Sequence, residues 1–370
     1  MSTVKAIRWA IPTDVQAGVG DAGLLTPGHV SSWREKGYAL VQGLLPDDLV
    51  TACREEAIQA LQTHDAEDFG SGGKLEFPTC LGRCDEIPLH PNLIRAAAQL
   101  LGTVVTDLRL IQSDIWPKRG VECSKVGGQS NNDQRMHCDY GNNTLLHPPG
   151  WYEPECVAMI VYLSDVDDCG GGTAVSPRRG SDDPAYEYPL VAMPGYGGIP
   201  FVNDRTACEQ YLAEHHPDYF QLRQGLYERE LHVKFRMGTV LLYRHDVWHR
   251  GTPVKPGALR VVANLGYKRA DAHWVSVWNR GWAKNMYWYS TPIMEKIVAN
   301  ASVEQRALLG IPPPGHRYWT PTTINAAVAR YGVFGFDPAP YIATLPPGSA
   351  SSSKAPRPQQ ATVDVSAPRA

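Results

Sequence analysis

The sequence predicts an all-β core with flanking helices, wound as a sandwich or jelly roll. Three observations point that way. Short runs rich in β-branched and aromatic residues recur through the middle of the chain, turns of Gly, Pro and Asp separate them, and helical spacing is confined mainly to the two ends.

In chain order, residues 1–26 are Gly-rich and weakly patterned, an irregular N-terminal segment. Asp47 to His64 follows Pro46 and spaces Leu49, Val50, Cys53, Ala57, Ile58 and Leu61 as one helical face. His90 to Leu101 is a second, alanine-rich helix. Strands are then expected at Val104–Trp116, Cys156–Leu163, Leu231–Phe235, Thr239–Tyr243 and Arg260–Tyr267. Residues 178–230 read as a long irregular insertion, in which Pro217 starts a helix. After Asp271 the pattern turns helical again, and Thr320-Pro321 opens a last helix to about Tyr331. Residues 346–370 are Pro-, Ser- and Ala-rich with little to bury, so they read as a disordered tail. With no internal linker, residues 27–345 read as one catalytic-size domain.

Composition narrows the function. The chain has 370 residues, 35 basic against 38 acidic, and a formal charge of −3, so no basic surplus marks a nucleic-acid binder. No apolar run reaches membrane-spanning length, and no secretory signal follows Lys5. The eight cysteines form no CxxC pair, which argues against structural zinc and for reduced thiols in a cytoplasmic setting.

Several motifs fail on context. Gly18-x-Gly20-x-x-Gly23 has the spelling of a dinucleotide fingerprint but lacks the strand before it and the helix after it. Gly72-Gly73-Lys74 lacks the rest of a phosphate-binding loop, and no nucleophile elbow occurs. What survives is His-x-Asp. With 12 His and 38 acidic residues in the chain, one match is expected by chance, so position must decide. His216-Pro217-Asp218 lies in a polar stretch and reads as surface. On a strand, His137 and Asp139 would project to one side, two donors of a metal site. A third donor would complete a facial triad with open positions. His249, between a strand and a Gly-Pro turn, suits that role, and His245 is its rival. Arg260, at the head of the returning strand, could clamp a carboxylate beside the metal.

In this order the residues resemble the phytanoyl-CoA dioxygenase family of iron(II)- and 2-oxoglutarate-dependent oxygenases. The likeness begins at Trp33–Pro46 and continues through Ile111-Gln112-Ser113 to Lys118, Met136-His137-Cys138-Asp139, and Tyr162–Asp167 with Gly171–Pro177. It closes on His249 with Arg260 eleven residues later, covering roughly residues 30 to 270. The resemblance implies a cupin-like double-stranded β-helix, with iron(II) on His137, Asp139 and His249. It further implies 2-oxoglutarate held by Arg260, with weaker contacts from Gln112, Lys118 and Thr252. Dioxygen would be the co-substrate, a small or medium-sized molecule the substrate, and succinate and carbon dioxide the by-products. Retention of Asp139 favours hydroxylation over halogenation.

Two segments depart from the family. Arg178-Arg179 stands where Gly-Ser-His is usual, and the run after Asp271 carries Trp274, Trp278 and Trp282. They are the candidate substrate face: Arg178 and Arg179 for an anionic group, Trp278 and Trp282 for an apolar body. The ordinary readings are a solvated arginine pair and plain helix packing. Two other function classes stay open, a metal-dependent hydrolase or isomerase on the same three ligands, and a non-catalytic binding protein. Arg260 discriminates against both.

Overall fold

The computed structural model describes residues 7–15, 24–61, 74–121, 130–139, 146–147, 150, 152–180, 182–186, 193–272 and 293–347. The disordered-tail reading beyond 347, the glycine motif at 18–23, and Trp278 and Trp282 lie outside them.

Eleven strands are described: β1 (Trp9–Ala10), β2 (Thr13–Asp14), β3 (Tyr38–Gln42), β4 (Leu75–Glu76), β5 (Leu108–Arg119), β6 (Cys156–Tyr162), β7 (Thr173–Val175), β8 (Leu231–Val233), β9 (Val240–Tyr243), β10 (His249–Gly251) and β11 (Leu259–Arg269). They form two sheets. The larger has the order β2-β3-β9-β6-β11-β5-β4 and the smaller β1-β8-β7-β10. Beyond β10 the small sheet is extended by residues 134–137, through an antiparallel bridge of His137 with His249 and a bond from Gln134 N–H to the Gly251 carbonyl at 3.1 Å. With that segment the chain alternates between sheets: β5, then 134–137, β6, then β7 and β8, β9, β10, β11. This is the winding of a double-stranded β-helix, a jelly roll.

The large sheet has two unlike faces. Val157, Met159, Val161, Val240, Leu242, Val261, Ala263, Leu265 and Tyr267 point outward, under the helices Asp47–Leu61 and Pro91–Leu101. Each fully buried aliphatic side chain there contributes about 1.5–3 kcal/mol. The alternate residues Ala158, Ile160, Tyr162, Leu241, Tyr243 and Val262 point inward and meet Val175, Val233 and Phe235. A further cluster built on Trp319, Ile324, Tyr331 and Tyr341 gathers the C-terminal helices Ile293–Asn300 and Pro321–Tyr331.

Three expectations need correction. The strand read at Val104–Trp116 begins only at Leu108, after a 3-10 turn at Val105–Asp107, and runs to Arg119. Pro117 is tolerated within it opposite Val261. Residues 178–230 are not irregular throughout, since helices span Arg205–His215 and Pro217–Arg229. Asp204 caps the first and Pro217 starts the second, but only Cys208, Leu212, Arg223 and Leu226 of the pair are buried, too few for a helical stripe to show in the sequence. Finally, His137 and Asp139 do not stand on a regular strand. His137 is held by a lone bridge and Asp139 by a bend.

The turn before β7 packs tightly on the chain after β10. Gly172 N–H donates to Thr252 Oγ1 at 2.8 Å, and Thr252 N–H to the Gly172 carbonyl at 2.9 Å. A Cβ on Gly171 would stand 1.8 Å from the Pro253 carbonyl oxygen. Gly171→Ala should therefore destabilise the protein by about 1–3 kcal/mol, read as a lowered urea midpoint at unchanged slope.

Candidate metal centre

His137 and His249 are placed by each other's backbone. Each N–H donates to the other's carbonyl at 2.8 Å, which brings the rings to 4.5 Å between centroids. His137 Nδ1 lies 3.0 Å from the Arg135 carbonyl and His249 Nδ1 2.9 Å from that of Val247. These contacts place a proton on each Nδ1 and turn each Nε2 toward Asp139. Asp139 Oδ1 is 3.7 Å from His137 Nε2, and Oδ2 is 3.5 Å from His249 Nε2. One donor atom from each of the three lies within 4.8 Å of the others. Two imidazoles and a carboxylate converging in this way are a divalent-metal donor set that can leave positions open for other ligands.

Electrostatics hold His137 and Asp139 in ligating form; at His249 burial favours the neutral ring, but the Asp139 carboxylate outweighs it and raises the imidazole above its ordinary value, so a bound metal would displace a proton there. Burial, helped by His249, pushes His137 down to about 3, so its ring is neutral near pH 7. Burial opposes ionisation of Asp139, but His249, His137 and the Tyr243 hydroxyl together hold its carboxyl below the usual range. Tyr243 Oη donates to Asp139 Oδ2 at 2.5 Å. This residue was not singled out in the sequence, although TVLLY alternates and puts Leu241 and Tyr243 on the inner face.

Buried ion pairs shape the turn that carries His249. Arg244 forks onto Asp246 at 3.0 and 3.1 Å, Arg178 meets the same carboxylate at 3.2 Å, and Trp248 Nε1 donates to the Ala185 carbonyl at 2.7 Å. Arg178 is buried and also stacks 4.3 Å over the Tyr186 ring. The reading of Arg178 as a contact for an anionic substrate is corrected accordingly: its charge is committed to Asp246. Arg179 is exposed, and its N–H caps Asp183. His245, the rival ligand, is buried away from the donor set, with Nδ1 3.1 Å from Cys156 Sγ.

The insertion reaches the metal-binding segment directly. Met136 N–H donates to Tyr227 Oη at 3.0 Å, and Arg223 Nη2 donates to the Met136 carbonyl at 2.9 Å. Glu209 anchors both, at 2.8 Å from Tyr227 Oη and 2.7 Å from Arg223 Nη2. On the far edge residues 203–205 pair with residues 133–135 through the backbone, and side chains of helix Pro217–Arg229 take over at Met136. No sequence motif announces this clamp.

At the other end of the inner face Arg260 stands opposite Lys118. Lys118 Nζ donates to the carbonyls of Asn132 at 2.8 Å and Thr252 at 3.1 Å. Arg260 Nη1 donates to that of Gly172 at 2.9 Å, and its Nε has no acceptor among the described residues. Neither cation pairs with a described carboxylate. Burial first, then Arg260, pushes Lys118 well below its ordinary value. Thr252 lines this end but gives its hydroxyl to Gly172. Gln112 lies on the same face of β5, six residues or about 20 Å along the backbone from Lys118, and donates to Asp114 Oδ2 at 3.2 Å.

No protein-family model matches the chain, and no curated protein sequence does. Among solved structures, it is similar to the epimerase SnoN in complex with Fe3+, alpha ketoglutarate and nogalamycin RO, at 18% identity over 66% of this chain and 83% of that one, TM-score 0.45. It is also similar to EctD from S. alaskensis with 2-oxoglutarate and 5-hydroxyectoine, at 15% identity over 71% and 82%, TM-score 0.44. A third is AviO1 from Streptomyces viridochromogenes Tue57, at 13% identity over 68% and 97%, TM-score 0.45. Likeness this distant fixes neither fold nor activity. The fold rests on the strand order. Among the described residues no helix is long and apolar enough to cross a membrane.

The clamp on Met136 generates a prediction. Tyr227→Phe and Arg223→Leu should each weaken divalent-metal affinity, by roughly 10–100-fold as for other residues that orient ligands, while His216→Ala leaves it unchanged. Isothermal titration of the purified variants with nickel(II) measures this.

Proposed function

We propose that the chain is an iron(II)- and 2-oxoglutarate-dependent oxygenase that hydroxylates a small or medium-sized molecule and releases succinate and carbon dioxide. One observation carries this reading: a two-histidine, one-carboxylate donor set lies between the sheets, and the inner face of the large sheet carries two cations, the buried Lys118 and the half-buried Arg260, that pair with no described carboxylate. An uncompensated buried cation is costly, and a dicarboxylate ligand would offset it. Arg260 keeps its Nε–H and one further edge for such a fork.

The donor chemistry fits iron(II): two imidazole Nε2 atoms turned toward one carboxylate, with the Nδ1 protons tied to backbone carbonyls. When bound, the metal would supply dioxygen activation coupled to oxidative decarboxylation of 2-oxoglutarate. The protein's part is positional. His137, Asp139 and His249 hold one side of the metal, Tyr243 orients the Asp139 carboxylate, and Arg260, with Lys118 beside it, anchors the far carboxylate of the co-substrate. The balance is one substrate C–H, one dioxygen and one 2-oxoglutarate giving one C–OH, one succinate and one carbon dioxide. A hydrolase or isomerase on the same ligands would leave Arg260 and Lys118 without a task.

Two outcomes test this. His137→Ala, Asp139→Ala and His249→Ala should each abolish iron-dependent succinate release, and Asp218→Ala should not; full activity in Asp139→Ala would overturn the assignment. A charge-assisted hydrogen bond is worth about 1.5–3 kcal/mol, so Arg260→Leu should raise the 2-oxoglutarate half-saturation roughly tenfold or more. An unchanged half-saturation would favour the hydrolase or isomerase class.

A further inference from the structure

Two buried thiols meet in the cluster on the outer side of the large sheet. Cys53, in helix Asp47–Leu61, and Cys84, in the short helix Gly82–Glu86, bring their sulfurs to 3.7 Å although 31 positions separate them in the chain. Both pack in the apolar cluster that contains Leu49, Val50, Leu93 and Ala97. Both are free thiols, and no other two described cysteines meet.

The helix that carries Cys84 has little else to hold it. Of its five residues only Cys84 is buried, while Gly82, Arg83 and Glu86 are exposed. Its N-terminus is fastened to the neighbouring helix by one carboxylate: Glu56 Oε2 accepts from Arg83 N–H at 2.8 Å and from Cys84 N–H at 3.1 Å. The turn before it contains the exposed Cys80, the one non-glycine residue with positive φ (64°) among the described residues. Asp85 holds that turn, accepting from Thr79 N–H at 2.7 Å and Cys80 N–H at 3.1 Å. A five-residue helix resting on a thiol contact and one carboxylate opens locally at far lower cost than the sheet it covers. Opening presents Cys84 to solvent and leaves Cys53 in its longer helix.

The distance suits a covalent bond. A disulfide sets its sulfurs about 2.0 Å apart, so the pair would close by about 1.7 Å from its 3.7 Å contact. A change of χ1 well at one cysteine moves its sulfur farther than that. The Cys84 contact, then burial, push the Cys53 thiol above its ordinary value, so Cys53 is held protonated and the first attack falls to Cys84.

We propose that Cys53 and Cys84 form a modification site, a dithiol that a low-molecular-weight disulfide oxidises to a cross-link between the two helices. The Cys84 thiolate attacks one sulfur of the reagent and expels the other half as a thiolate. Cys53 then gives up its proton, attacks the Cys84 sulfur and expels the second half. One S–S bond breaks and one forms. The protein thiols lose two electrons and two protons, and the reagent takes them up as two thiols. The cross-link closes a span of 31 positions and so limits the unfolded chain. It also fastens a segment that covers the two longest strands: β4, before it, pairs with β5, and the Pro88 carbonyl, after it, accepts from Tyr267 of β11 at 2.7 Å. The device acts on stability and is independent of the oxygenase reading, since both cysteines belong to the outer cluster.

The test uses the full chain, reduced, desalted and held with excess glutathione disulfide under native conditions. Remaining thiols are alkylated in denaturant, and peptides are mapped by mass spectrometry without reductant. The expected product is one linked pair of peptides, Cys53 to Cys84, two hydrogens lighter than the separate thiols and parted by dithiothreitol. The melting temperature should rise by roughly 3–8 °C on oxidation and return on reduction. Cys53→Ala should abolish both changes and leave glutathione on Cys84, whereas Cys80→Ser should abolish neither. Cys53→Ser serves if Cys53→Ala does not fold. Four results overturn the proposal: Cys53 and Cys84 both recovered as alkylated thiols, a link from either one to Cys80, glutathione retained on Cys84 of the wild type, or a cross-link that leaves the melting temperature unchanged.

Discussion

The reciprocal backbone hydrogen bonds between His137 and His249, both 2.8 Å, are the constraint on which the site depends. The two residues are far apart in sequence and no strand of ordinary length joins them. The pairing sets the ring-to-ring distance, and the Nδ1 contacts to Arg135 and Val247 then set which nitrogen is bare. Remove the bridge, and the site becomes two unrelated histidines and an aspartate on a bend. Because one side of the 134–138 segment is fixed only by isolated bridges, its other side needs support. Tyr227, Arg223 and Glu209 of the insertion supply it.

Charge is distributed unevenly through the interior. Buried ion pairs contribute little net stability once desolvation is counted, but a buried charge left without its partner is strongly destabilising. In the Arg178–Asp246–Arg244 group two guanidinium groups share one carboxylate, and these bonds lock the turn leading into His249. Arg260 and Lys118 differ. They stand side by side, Lys118 buried and Arg260 half-buried, bonded to carbonyl oxygens and not to described carboxylates. The fold tolerates this arrangement because β5 and β11, among its longest strands, pair along their whole length and hold both residues in register.

The inner face of the large sheet is polar along β5 and β11. Cations stand at the Arg260 end, and Gln112, Asp114 and Asn264 stand farther along the same face. The metal donors lie between the sheets, where Tyr243 of β9 meets Asp139.

By itself the sequence determined the β-rich core and its helices, because period-two and helical spacing are local properties that turn residues punctuate. It also marked His137, Asp139 and His249 as candidate ligands by spacing and order, and the fold brings the three together. What it could not determine is which polar residues are already partnered. Arg178 looked available in the sequence and proved to be bound to Asp246, 68 positions away. Gln112 and Lys118 share a strand and a face, yet Gln112 donates to Asp114 and Lys118 to the carbonyls of Asn132 and Thr252. Tyr243 and Tyr227 carry no motif; only the pairing of β9 with β6, and the docking of helix Pro217–Arg229 on Met136, bring them to the site. Tertiary structure decided these points because ion pairs and cross-strand register join residues far apart in the chain, and no local pattern records which distant partner a side chain will meet.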